Sequence, residues 1–313
     1  MKDKGTGAGF GKTILFGEHF VVYGLPGIAS GIGDRTIAEI EPAEKYELID
    51  NRPATPDYKQ KKKGEMERSM KMILDFMRID VEKNPVKITL SGNLYCTSGV
   101  GASAAMATSI ARAFSDLYEL NLNDEQINRI SYEGEKGTVG THSGLDNTCA
   151  TFGGLIWFIK NLEGGENTIE HIDLKEPIDI VLANTGISQD TKEVVMDVKS
   201  NKEAEPEKYE RIFRDYEAFV HEARSALEGG DFDRLAQLID RNHELLREIT
   251  VSCKEAEEII TAAKENGATA GKITGTGRGG YVILLTPRKD IQDRVAKAIE
   301  AKGYKTMKTT IGY

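Results

Sequence analysis

The chain opens with short β-branched runs broken by glycine. Thr13-Ile-Leu-Phe16, Phe20-Val-Val-Tyr23 and Arg35-Thr-Ile-Ala-Glu-Ile40 predict strands, because branched side chains suit a pleated surface and glycine marks its turns. Residues 50–64 are polar and carry Lys59-Gln-Lys-Lys-Lys63, which predicts a solvated loop before a helix near Glu65–Met77. Val86–Leu90 is a strand candidate, followed by a loop rich in serine, glycine and threonine and by a small-residue helix over about 101–118. A second helix is expected near 124–136, then a glycine-containing loop and strands at 155–159 and 178–183. From about 188 to 266 the pattern is helical almost throughout, with Ile212, Phe213, Tyr216, Phe219 and Val220 on one helical face. Gly229-Gly230-Asp231 reads there as a stop and a new N-cap. Strands at 268–273, 281–285 and 305–310 and a helix at 289–302 complete the pattern, and the domain boundary is expected at 183/184, giving domains 1–183 and 184–313.

At 313 residues the chain is long enough for two domains, and 39% hydrophobic with 29% charged residues describes a globular protein that folds in water. The net charge of −9 argues against a general nucleic-acid binder, which must neutralise phosphates. No apolar run approaches a membrane span, and the N-terminal residues lack a signal-peptide core. Cys96, Cys149 and Cys253 are scattered, with neither a disulfide framework nor a zinc-ligand spacing, so a reducing cytoplasm is the expected setting.

Three glycine-rich stretches compete for a phosphate-binding role. Thr6–Thr13 nearly matches G-x-x-x-x-G-K-[ST], but Thr6 replaces the first glycine and the residues that follow are β-like, whereas a P-loop requires a helix. Gly275–Gly280 satisfies G-x-G-x-x-G, yet it too is followed by a predicted strand and lacks the helix N-terminus that holds a pyrophosphate. Gly99-Val100-Gly101-Ala102-Ser103-Ala104 differs, since a helix does follow. Its backbone N–H groups and positive dipole end suit a phosphate, small side chains allow close approach, and Ser103 offers a hydroxyl to phosphate or Mg²⁺; a close helix-packing stretch explains the same composition. Glu135 and Asp146 flank a turn that could bring both acids to one place. There is no H-E-x-x-H and no G-x-S-x-G, so zinc and serine hydrolases have no support.

Taken together, these segments resemble the superfamily of galactokinases, homoserine kinases, mevalonate kinases and phosphomevalonate kinases (GHMP kinases), and within it the mevalonate kinases. Gly11-Lys-Thr-Ile-Leu-Phe-Gly-Glu18-His19-Phe-Val-Val-Tyr-Gly-Leu-Pro26 is similar to the first family motif. Gly99–Ala105 is similar to the second, Gly134-Glu-Lys136 with Ser143-Gly-Leu-Asp-Asn147 to a further pair, and Lys272–Gly280 to the third. The resemblance implies an α+β two-domain fold, with an N-terminal ribosomal-protein-S5-like domain, a ferredoxin-like C-terminal domain and the site in the interdomain cleft. It implies transfer of the γ-phosphate of ATP, with Mg²⁺, to the 5-hydroxyl of mevalonate, a step of isoprenoid precursor synthesis. It also implies that Asp146 orients or deprotonates the acceptor, Lys12 favours the alkoxide, and Glu18 and His19 line the acceptor pocket together with them. Gly99, Val100, Gly101, Ala102, Ser103 and Ala104 would hold phosphates, and Ser103 and Glu135 would hold the metal. No nucleic acid or membrane partner is implied, and dimers are common in the family. Alternatives are a sister kinase acting on the 3-hydroxyl of mevalonate, on phosphomevalonate, homoserine or a sugar, or a non-catalytic nucleotide or sugar sensor. His142 stands where the family has proline, Ala102 replaces a serine, and Arg278 interrupts the glycines of the third motif, either as a cation for the site or as a surface residue.

Overall fold

The computed structural model describes residues 1–97, 99–138, 143–187, 189 and 191–312, together with the backbone of 139. His142 therefore lies outside the described residues. Two compact units are present, one made of Met1–Lys12 with Gly31–Gly153 and the other of Thr13–Ser30 with the chain from Gly154 onward. The division differs from the expected 183/184 boundary, and strand pairing supplies the reason. Residues 27–30 pair with 155–158, and residues 178–184 pair with two strands from the last third of the chain, so all of them belong with the second unit.

In the first unit, β1 (Gly5–Phe16, here as far as Lys12) and β2 (Gly27–Pro42, here from Gly31) are followed by β3 (Glu47–Asp50), α1 (Tyr58–Met77) and β4 (Val86–Gly92). Then come α2 (Ala102–Leu117), α3 (Asp124–Val139) and α4 (Leu145–Phe152). β4 pairs antiparallel with β2, placing Ile88 opposite Ile40, and parallel with β3, placing Ile88 opposite Leu48. The core joins Ile40, Ile88 and Leu90 from the strands to Ile73, Ile110, Phe114 and Ile130 from the helices.

The glycines at the start of β1 are there for packing. Gly5, Gly7 and Gly9 alternate along the strand and so share a face, and a Cβ on each would stand 2.2 Å from the carbonyl oxygens of Ala113, Ser109 and Ala105 in turn. The strand lies directly on the α2 backbone, which also accounts for the small residues of that helix. As expected, the near-match to a P-loop is strand with no helix after it.

In the second unit, β5 (Leu155–Ile159) and β6 (Thr168–Ile172) form an antiparallel pair. They are followed by β7 (Ile178–Asn184), α5 (Thr191–Ala204), α6 (Pro206–Gly229), α7 (Phe232–Glu248) and α8 (Lys254–Glu265). The chain ends with β8 (Ala270–Thr274), β9 (Tyr281–Leu285), α9 (Lys289–Ala301) and β10 (Lys305–Ile311). β10, β7, β9 and β8 pair antiparallel in that order. Gly275–Gly280 thus joins two antiparallel strands, as its weak claim to a dinucleotide fold required. Gly230 ends α6 at φ 75°, and Asp231 caps α7 by accepting the Arg234 N–H at 3.0 Å.

Local expectation failed at several places. Val21–Tyr23 is a single 3₁₀ turn, because the N–H groups of Phe20 and Val21 both find the Gly17 carbonyl and override β propensity. α1 begins at Tyr58, so the lysine run is helical; Lys59 lies 3.4 Å from Asp50 and Lys62 lies 2.8 Å from Glu65, offsetting cations near a helix N-terminus. α4 occupies part of the expected glycine loop, and the exposed strand β6 has no apolar alternation to announce it.

Candidate active site

In the first unit the candidate residues converge around Lys12. Its backbone N–H donates to the Val100 carbonyl at 2.8 Å, so the loop before α2 runs alongside the end of β1. Gly99 and Gly101 sit at φ 99° and 69°, and a Cβ on Gly101 would stand 3.1 Å from Lys12 Cγ. Here glycine is needed both for the backbone angle and for the approach. Gly101 occupies the N-cap position of α2 and has no side chain with which to cap the first-turn N–H groups. Val100, Ala102 and Ala104 are buried behind the loop, and the buried Arg52, 2.8 Å from Asp50, donates to the Ala102 carbonyl at 3.3 Å.

Asp146 lies in the first turn of α4, where the helix dipole favours a carboxylate. Gly144 at φ 88° provides the entry, and Asn147 donates to Asn128 Oδ1 at 2.6 Å, tying the helix to α3. Lys12 Nζ stands 3.0 Å from Asp146 Oδ1; the lysine is buried, whereas the aspartate is 39% exposed. This pairs a sheltered ammonium with an accessible carboxylate. Ser103 Oγ donates to Glu135 Oε1 at 2.5 Å. Burial pushes the Glu135 carboxyl up to about 7, with the charge of Asp146 adding to the rise and the Ser103 hydrogen bond opposing it. One turn beyond Asp146, burial holds the Cys149 thiol at about 12, which leaves it an inert apolar neighbour.

The second unit carries Glu18 and His19. The Glu18 carboxylate has no exposed surface and is ion-paired with the equally buried Lys272. Oε1 of Glu18 is the oxygen that meets Lys272. His19 has φ 63°, and its Nε2–H donates to the Thr276 carbonyl at 2.7 Å. That bond places the proton on Nε2 and leaves Nδ1 an acceptor, with no hydrogen-bond partner among the described residues. Burial, reinforced by the positive charge of Arg278, holds the His19 pKa below its ordinary value and keeps the ring neutral.

Lys12, Gly99–Ala104, Glu135 and Asp146 are therefore gathered in one unit, and Glu18 and His19 stand in the other. The Arg278 guanidinium is bound by Asp197 and Thr250. Lys272 and Thr276 escaped sequence reasoning as site residues. Their only signal was position inside a glycine-rich motif, which does not say what a lysine side chain will meet.

Comparison with known proteins follows the same residues. Residues 67–154 match the model of the GHMP kinases N terminal domain, and residues 223–305 match that of the GHMP kinases C terminal. The mevalonate kinase of Thermococcus gammatolerans is 34% identical over 96% of this chain and 94% of its own length. That of Pyrococcus abyssi is 32% identical over 96% and 93%. Among solved structures, L. major mevalonate kinase in complex with R-mevalonate is similar with a TM-score of 0.95 and 38% identity, covering 100% of this chain and 98% of that one.

Proposed function

We infer that this chain, which belongs to the GHMP kinase family, is an enzyme that transfers the γ-phosphoryl group of ATP to the 5-hydroxyl of mevalonate. The observation that carries this reading is the Lys12–Asp146 pair, 3.0 Å apart, with the Gly99–Gly101 loop lying against the same lysine. A base and a cation thus stand beside a backbone built to approach phosphates.

Asp146 accepts the proton of the acceptor hydroxyl as that oxygen bonds to phosphorus and the bond to the ADP oxygen breaks. Lys12 lowers the cost of negative charge on the attacking oxygen and keeps Asp146 oriented. The first-turn N–H groups of α2 and the glycine backbone receive phosphate oxygens. His19, neutral and with its buried Nδ1 lacking a partner among the described residues, takes a hydrogen bond from an acceptor hydroxyl, and Glu18 supports it through Lys272.

Ser103 and Glu135 fit a magnesium ion: both offer hard oxygen, and a buried carboxyl pushed to about 7 is one that a cation would return to its charged form. A single carboxylate is enough for an ion that keeps water and substrate phosphates as its other ligands. A magnesium ion held there would supply positive charge to the transferring phosphates.

The test is to incubate the protein with Mg-ATP and mevalonate, follow ADP release, and locate the new phosphate by phosphorus-coupled carbon NMR. Phosphate on the 5-oxygen supports the reading, and phosphate on the 3-oxygen replaces the acceptor geometry. Asp146→Asn should lower kcat by about 10²-fold or more while ATP binding persists. Equal turnover would remove Asp146 from its role.

A further inference from the structure

The stretch between β8 and β9 is almost without side chains, and every glycine in it, at 275, 277, 279 and 280, has positive φ. Such a segment has many conformations to lose, so something must hold it if it is to position a ligand-binding group. Arg278 sits in its middle at φ 52°, a backbone angle that favours glycine. The residue keeps that geometry because its side chain is bound on two sides. Nη1 donates to Asp197 on α5 at 2.6 Å, Nε donates to the Thr250 carbonyl at 3.0 Å, and Nη2 donates to Thr250 Oγ1 at 3.3 Å. Its backbone N–H adds a bond to the Val251 carbonyl at 2.6 Å. Thr250, between α7 and α8, itself has φ 66°, unusual for a β-branched residue, so both partners of this contact hold strained backbone.

What the loop carries gives the clamp its use. The Thr276 carbonyl receives the His19 ring at 2.7 Å, and the Thr276 hydroxyl shares a 2.8 Å hydrogen bond with Thr191 at the start of α5. Arg278 and Thr276 therefore fasten the loop to the same helix at two points.

We propose that Arg278 is a positioning residue: by clamping the glycine loop to α5 and to the turn between α7 and α8, it fixes the Thr276 carbonyl that orients His19 toward the acceptor. The proposal rests on the reading of His19 as an acceptor-binding group. Its specific consequence is that loss of the clamp damages acceptor binding and spares nucleotide binding.

Two variants test it in the full-length protein. Arg278→Gly suits the existing backbone angle, so it removes the side chain without adding strain. Asp197→Ala breaks the ion pair from an exposed helix face and leaves the loop sequence intact. Deuterium exchange of the peptide covering 275–281, measured without substrates, should be faster in both by about tenfold. The KM for mevalonate should rise about fivefold or more, with the KM for ATP changed less than about twofold and Arg278→Lys recovering part of the loss. Unchanged exchange in both variants would overturn the clamp, whether or not the wild type phosphorylates mevalonate. Faster exchange with an unaltered mevalonate KM, or with both KM values rising together, would overturn its role in acceptor binding. A wild type inactive on mevalonate would refute the acceptor assignment alone, since the exchange experiment uses no substrate.

Discussion

Lys272 and Glu18, far apart in sequence, meet as an ion pair with no exposed side-chain surface. Lys272 Nζ also donates to the carbonyls of Ile273, at 2.6 Å, and Ile14, at 3.3 Å, so its three protons are all used. Burial pulls the lysine pKa below its ordinary value and Glu18 pulls it back, the balance remaining low. Taking two charges out of water is costly, and their mutual attraction offsets that cost only when the geometry is good. Here it joins β1 to β8 and fixes the turn that bears His19.

Breaking that pair from one side should be worse than removing it whole. Lys272→Met strands the Glu18 carboxylate and should cost about 3–5 kcal/mol in urea unfolding. The double variant Glu18→Gln with Lys272→Met should recover a large part of that loss. Losses that simply add would show that the two side chains are not coupled.

Glu135 makes a stability signature visible without any assay of activity. Its folded-state pKa of about 7 lies above the ordinary glutamate value of 4.5, so between those values the folded chain holds a proton that the unfolded chain has released. The group's contribution is therefore full below pH 4.5 and is lost as pH rises through 7, a span of at most about 3 kcal/mol. Glu135→Gln should be flat over that range, so wild type minus variant should fall between pH 5 and 8. Added Mg²⁺ should shrink the wild-type penalty at pH 8 and leave the variant unmoved. A difference independent of pH would contradict the environment assigned to Glu135.

The glycine face of β1 predicts a steep contrast between neighbours. Gly7→Ala forces a Cβ to 2.2 Å from the Ser109 carbonyl, where backbone rather than a flexible side chain must move, and should cost about 3 kcal/mol or more. Thr6→Ala, on the exposed opposite face, should cost less than about 1 kcal/mol. Thermal and urea midpoints of the two variants provide the check; similar midpoints would mean that the strand does not lie against α2.

By itself the sequence determined what short-range chemistry can determine. The helical stretch from about 188 to 266, the strands at 86–90, 155–159 and 281–285, the stop at Gly230 and the cap at Asp231 follow from periodicity and from the few residues that tolerate a turn. Lys12, Ser103, Glu135 and Asp146 were singled out by the resemblance of their motifs to GHMP kinases rather than by composition or spacing alone. Tertiary structure decided the rest, because a contact between distant residues is fixed by chain closure and packing that no local window contains. It made Gly5, Gly7 and Gly9 a packing face, brought Lys12 to Asp146, turned Glu18 inward onto Lys272, and bound Arg278 to Asp197 and Thr250. Glycine, lysine and arginine each admit several uses at one position in a sequence, and only the atoms that surround them in the folded chain select one.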